Sequence, residues 1–183
     1  MKNSMLSFLF SIFFLFSFGQ DEKVVKFPTD SSGNVVFTEV IKGLDNINAN
    51  ELYSRAKIFI AKEYVSDKTV TELNDDISHT ILVKPSIQNT FHYFLGTFTY
   101  GHTTYSLLIE CKDNKYRYTF SGFYHRGYIE KNDTLNDGGP INSDTPNGLT
   151  KNHWEGVQRQ DYEHVQLLIR DLKKAMANKT DDF

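Results

Sequence analysis

Between Thr103 and His125 the chain alternates apolar and polar residues on both sides of a two-residue turn candidate, Asp113-Asn114. This stretch limits the possible folds more than any other. A turn there sets Cys111 opposite Tyr116, Ile109 opposite Tyr118, Leu107 opposite Phe120, and Tyr105 opposite Gly122, its ring covering the glycine. The other face pairs Glu110 with Arg117, Ser106 with Ser121 and His102 with His125. One face is apolar and the other polar, and a one-residue slip would mix them, so the register is specified. The hairpin must belong to a sheet that buries one side.

A second turn near Gly101-His102 is expected to bring a preceding strand, His92 to Tyr100, alongside the hairpin. That puts Phe94 and Phe98 on the apolar face and turns Tyr93 and Leu95 to the outer face, near Leu108 and Phe123. Further upstream, Val35–Ile41 (VVFTEVI) reads as a β-branched strand. Asn48 and Glu51 have capping-box spacing, and Leu52, Ala56, Phe59, Ile60 and Tyr64 form one face of the helix that follows, with Arg55 off it. Thr69–Leu73 and Ile77–Val83 are strand candidates, and Pro85 with SIQNT separates the second from the third. A closing helix with the stripe Val165, Leu168, Ile169, Leu172 and Met176 begins between Asn152 and Asp161, Gly156 favouring the later start. The order is β-α-β-β-β-β-α, the last member of the strand run being the hairpin itself. This predicts an α+β fold, a curved antiparallel sheet with two helices packed on one face.

Residues 1–19 have the pattern of a secretory signal peptide: Lys2, an apolar run from Leu6 to Phe18, then small Ser17 and Gly19 before Gln20. The run is shorter than the roughly 18–20 residues a spanning helix needs. No membrane span is expected after cleavage, and the destination is the periplasm or the cell exterior. A polar lead-in over 20–34, a domain over 35–125, a Gly/Asn/Asp-rich loop over 126–152, a helix over 153–177 of the same domain and a tail over 178–183 complete the division. The single cysteine, Cys111, has no intramolecular disulfide partner. A formal net charge of −3 with no basic tract argues against nucleic acid as partner.

VVFTEVIKGLDNINANELYSRAKIFIAKEY, the tyrosine-rich YSLLIECKDNKYRYTFSGFYH and the closing LLIRDLKKAMANKTDDF carry a resemblance. With the leader, they resemble the domain of unknown function 4468 family of exported bacterial proteins, which has a TATA-box-binding-protein-like fold. The resemblance implies the same curved sheet and two helices, and it implies no activity. DNA binding does not follow from the fold, because function resides in sites and the basic, intercalating surface is missing here.

No GxSxG, HExxH, P-loop, CxxC or GxGxxG string occurs. His102 and His125, as cross-strand partners, are within reach of one metal ion but need a third ligand, such as an Asp from the long loop. Cys111 with His92 has the composition of a nucleophile and base, yet burial among Ile109, Tyr116 and Tyr118 would keep the thiol protonated. Asp133–Asp144 has a calcium-loop outline with Leu135 where a ligand is needed and Asp144 in place of the bidentate Glu. No cofactor is expected. The leading expectation is a non-catalytic binding or interaction module using the outer sheet face, with Tyr93, Leu95, Leu108, Thr119 and Phe123 as its surface. Its partner would be a protein or small ligand of the cell envelope. The alternative is a thiol- or metal-dependent hydrolase using Cys111/His92 or His102/His125.

Overall fold

The structure is a computed structural model that describes residues 25–44, 46–64, 70–127, 137–144, 146 and 148–177. The leader, part of the lead-in, residues 133–136 of the calcium-like stretch and the tail lie outside the described residues. The elements are β1 (Val36–Lys42), α1 (Ala49–Glu63), β2 (Val70–Asp75), β3 (Thr80–Lys84), β4 (Ser86–Tyr93), β5 (Gly96–Lys112), β6 (Lys115–Arg126), β7 (Gly139–Pro140) and α2 (Lys151–Ala177). One antiparallel sheet runs β1-β6-β5-β3-β2; β4 continues alongside β5 beyond β3, and β7 alongside β6 beyond β1. Both helices cover one face: α1 packs on β3 and β5, α2 on α1 and β4. The α+β architecture is as the alternation predicts.

The centre of the β5–β6 hairpin has the expected register, with Cys111, Ile109 and Leu107 opposite Tyr116, Tyr118 and Phe120, all buried. The turn is tied to its surroundings. Asn114 takes a left-handed φ of +61°, which Asn tolerates. Its N–H donates to the Ile47 carbonyl, and Asp113 accepts the Ala49 N–H. Helix α1 starts at the predicted cap, where Asn48 Oδ1 accepts the Glu51 N–H at 2.9 Å. Arg55, expected off the apolar face, is buried instead. Its Nη1 donates to the Met176 carbonyl at 2.6 Å and so satisfies the last turn of α2, while Nη2 is paired with Glu51.

Three sequence expectations are corrected. First, SIQNT is strand β4 rather than a separator, and the chain turns at Phe94-Leu95, not at Gly101-His102. Gly101 instead lies inside β5, at φ +125°, where a Cβ would come 2.1 Å from the Arg126 carbonyl oxygen. Second, the hairpin register slips beyond Ser106: β6 carries an extra residue, so Gly122 and Phe123 together oppose Tyr105. Gly122 has φ +68°, the left-handed conformation of a glycine-led bulge. Third, α2 begins at Lys151, with Thr150 as cap; Thr150 Oγ1 lies 3.4 Å from the His153 N–H it accepts. Gly156 does not delay the helix. A Cβ there would sit 2.5 Å from Phe91 Cε1, so glycine permits close contact of α2 with β4. The predicted loop also carries structure: β7, buried Ile141, and the Ser143 carbonyl that accepts the Trp154 Nε1–H at 2.6 Å.

Candidate binding surface at the hairpin tip

The bulge at Gly122 decides the fate of several predicted site residues. It turns Phe123 into the core, where its ring stacks on Tyr105 at 5.4 Å and 14°; Phe123 is 5 % exposed and not part of the outer face. It also separates the predicted metal pair. His125 lies opposite Thr103 on the buried face, and His102 opposite Arg126 on the other. His125 Nδ1 accepts the Gly138 N–H at 3.2 Å, its ring meets Trp154 edge to face, and burial pushes its pKa down to about 4. The two histidines form no metal site.

Cys111 and His92 are likewise far apart along β5, since His92 pairs with Thr97 near the start of the strand. Burial pushes the Cys111 thiol up to about 12, so little thiolate forms at neutral pH. Among the described residues no three His, Cys, Asp or Glu side chains gather as metal ligands.

Leu108 and Thr119 are direct partners on the outer face, half-buried, in a row running Leu82, Leu108, Thr119, Thr38. Thr38 Oγ1 and Thr119 Oγ1 lie 2.9 Å apart. Tyr93 and Leu95 are elsewhere, at the β4–β5 tip. Phe94 and Leu95 form its two-residue turn; Phe94 is fully exposed and Leu95 87 % exposed. Phe94 therefore does not join the apolar face; Phe98, opposite Phe91, does lie on the expected side of the sheet but stays 49 % exposed there, edge-on to Tyr93 at 5.6 Å. Tyr93 shares the α2 side of the sheet with Phe91, at the N-terminal end of the helix: its OH is 2.8 Å from His153 Nε2 and 3.1 Å from the Tyr100 OH. That hydroxyl contact, with burial, pushes Tyr100 up to about 12. The tip is thus two bare apolar side chains above a collar of Tyr93, Phe98, Tyr100 and His153.

Sequence reasoning missed Phe94, Phe98, Tyr100 and His153 as a surface. The signal available was the absence of Asp, Glu, Lys and Arg throughout 85–109. It also missed a buried cluster in which Asn89 Nδ2 donates to Asp161 Oδ1 at 2.8 Å and Thr103 Oγ1 donates to Asn89 Oδ1 at 3.2 Å.

Residues 37–126 match the family described as a domain of unknown function (DUF4468) with TBP-like fold. A DUF4468 family protein from Bacteroides ovatus ATCC 8483 is 12 % identical, with a TM-score of 0.62 over 84 % of this chain and 92 % of that one. A TBP-like protein from Parabacteroides distasonis ATCC 8503 is 16 % identical, with a TM-score of 0.64 over 82 % and 97 %. At these identities the likeness is one of fold alone. No match is found among curated proteins.

Proposed function

We propose that this protein is a non-catalytic binding module of the cell envelope whose working surface is the β4–β5 hairpin tip, docking on the interfacial layer of a lipid bilayer. The observation that carries the reading is the Phe94-Leu95 turn. Two-residue hairpin turns ordinarily use Gly, Asn or Asp. Phe and Leu here break that rule, stand in water and add nothing to the core. Breaches of local consistency without a structural return concentrate at functional sites.

The layering of chemistry supports a bilayer as the occupant. Behind the apolar tip come Tyr93, Tyr100 and His153, rings with polar ends of the kind that suit a membrane–water interface. No formally charged residue interrupts 85–109. Taking Phe94 and Leu95 out of water contributes about 1.5–3 kcal/mol each, enough for reversible attachment and short of permanent anchorage. The leader-like Met1–Gly19 supports an exported location.

Flotation with phosphatidylcholine vesicles tests the surface. The protein is expected to float, and Phe94→Ser/Leu95→Ser to remain below with an unchanged melting curve. Failure of the parent protein to float, or equal flotation of the variant, overturns the reading. So does a tip-dependent dimer without flotation, which would assign the tip to a second copy. N-terminal sequencing of protein from its native cell tests location: a start at Gln20 supports export, and an intact Met1 overturns it.

A further inference from the structure

At the other end of β5 the register stacks three lysines in one row. Lys42 of β1 is opposite Lys115 of β6, and Lys115 is opposite Lys112 of β5. Strand alternation puts all three on the outer face, because their neighbours Cys111 and Tyr116 are buried under the helices. Like charges directly opposite one another destabilise a sheet. The nearest carboxylates are already engaged. Glu110 is held by Arg117, with Nε–Oε2 at 2.6 Å and Nη2–Oε1 at 2.8 Å, and Asp113 takes the Ala49 N–H. Among the described residues no carboxylate pairs with Lys42, Lys112 or Lys115. The chain is acidic overall, so composition does not account for the row. Protection of a sheet edge explains a lysine on β1, but Lys112 and Lys115 lie on the two central strands.

The row borders a cleft of about 200 Å³, with Val40, Glu110 and Arg117 on its other walls. We propose that this cleft binds a phosphate ester, its oxygens accepting from the three ammonium groups. Lysine ammonium is a common point-charge partner of phosphate. A dianion between the lysines turns their mutual repulsion into attraction, and the cleft has room for one phosphate and a small group attached to it. The site is independent of the hairpin tip, at the opposite end of β5.

The test uses the whole protein, with inorganic pyrophosphate as probe and sodium chloride at matched ionic strength as control. Calorimetry should detect pyrophosphate binding, and melting should rise above the chloride control. Lys115→Gln should weaken binding about tenfold or more, the weight of one charge-assisted hydrogen bond. The same variant should melt no lower than the parent protein at low salt, because it removes the centre of the repulsive row. Lys112→Gln should repeat both effects. Vesicles carrying phosphatidylglycerol, compared with phosphatidylcholine alone, distinguish the source: added binding that pyrophosphate displaces supports the site and assigns it to a lipid headgroup, whereas no gain over phosphatidylcholine alongside pyrophosphate binding assigns it to a soluble ester. No binding beyond chloride, binding that survives both substitutions, or binding of polyglutamate alone would overturn the proposal.

Discussion

Gln160 closes on the main chain of Thr90 with both ends of its amide. The Thr90 N–H donates to Gln160 Oε1 at 3.1 Å, and Gln160 Nε2 donates to the Thr90 carbonyl at 2.9 Å. A side chain of α2 thus does for β4 what a further strand would do, covering one stretch of a sheet edge that would otherwise offer unpaired groups to another chain. Gln160→Ala should cost about 1–3 kcal/mol, the net value of two hydrogen bonds. Denaturation measures the cost, and hydrogen exchange should show the Thr90 amide losing protection before its neighbours. An equally protected amide would mean that the contact is not formed in solution.

The next residue on α2, Asp161, makes stability depend on pH. Burial pushes its carboxyl up to about 7 from an ordinary 3.8, against the opposing hydrogen bonds of Thr103 and Asn89. Oδ2 has no partner. The folded protein therefore holds this proton more tightly than the unfolded chain does. The resulting stability is complete below about pH 4 and is lost as pH rises through 7. Asp161→Asn keeps an acceptor for Asn89 and removes the charge. Buried His125, its pKa pushed down to about 4, pulls the other way over the same range, so urea denaturation at pH 5 and pH 8 is read as the difference between the two proteins: the variant should gain on the parent as pH rises and be the more stable at pH 8.

Gly122 is needed for its backbone, not for the ring that the sequence pattern places over it. At φ +68° only Ser106 Oγ lies as near as 4.0 Å to the position of a Cβ. Gly122→Val should lose about 1–2 kcal/mol through left-handed strain, and Gly122→Asn distinctly less, since Asn tolerates that conformation. Equal losses for the two would point to crowding instead.

At Gly156 two effects oppose each other. Alanine gains about 1 kcal/mol in helix propensity, but its Cβ would sit 2.5 Å from Phe91 Cε1. Overpacking of this kind costs about 1–3 kcal/mol, so Gly156→Ala should be neutral to destabilising, and adding Phe91→Leu should recover part of any loss. A melting temperature that rises in the single variant would show that the Phe91 ring moves aside freely.

Where local rules act alone, the structure could be read from the residues: the Asn48–Glu51 cap, the stripe of α2, and the uninterrupted alternation on either side of Asp113-Asn114. What stayed hidden depends on distant partners. Ser86–Thr90 looked like a loop because Asn89 faces inward, and the Asp161 that satisfies it lies on the last helix. The lysine row requires the β1–β6 register, which no single strand contains. The Tyr93–Tyr100 pair becomes a site only when α2 delivers His153. The bulge did leave a trace. Inward residues fall at Tyr116, Tyr118 and Phe120 and then at Phe123 and His125, a one-residue break in phase with a glycine inside it. Read as a bulge, that break separates His102 from His125 and removes Phe123 from the outer face.

Phe94 and Phe123 test this division most directly. The unbroken register puts Phe123 on the outer face and expects Phe123→Ser to be mild. With the bulge, Phe123 is stacked on Tyr105 and edge-on to Phe37 at 5.8 Å, so the same change leaves a cavity lined by rings and places a hydroxyl in it. The cost should be about 3–5 kcal/mol, the range for removing a buried phenylalanine. Phe94 loses no packing when replaced, and Phe94→Ser should stay within about 0.5 kcal/mol of the parent protein, as surface changes do. Denaturant titrations of the two variants side by side decide the matter. A mild Phe123→Ser together with a severe Phe94→Ser would restore the unbroken register and, with it, the aromatic outer face.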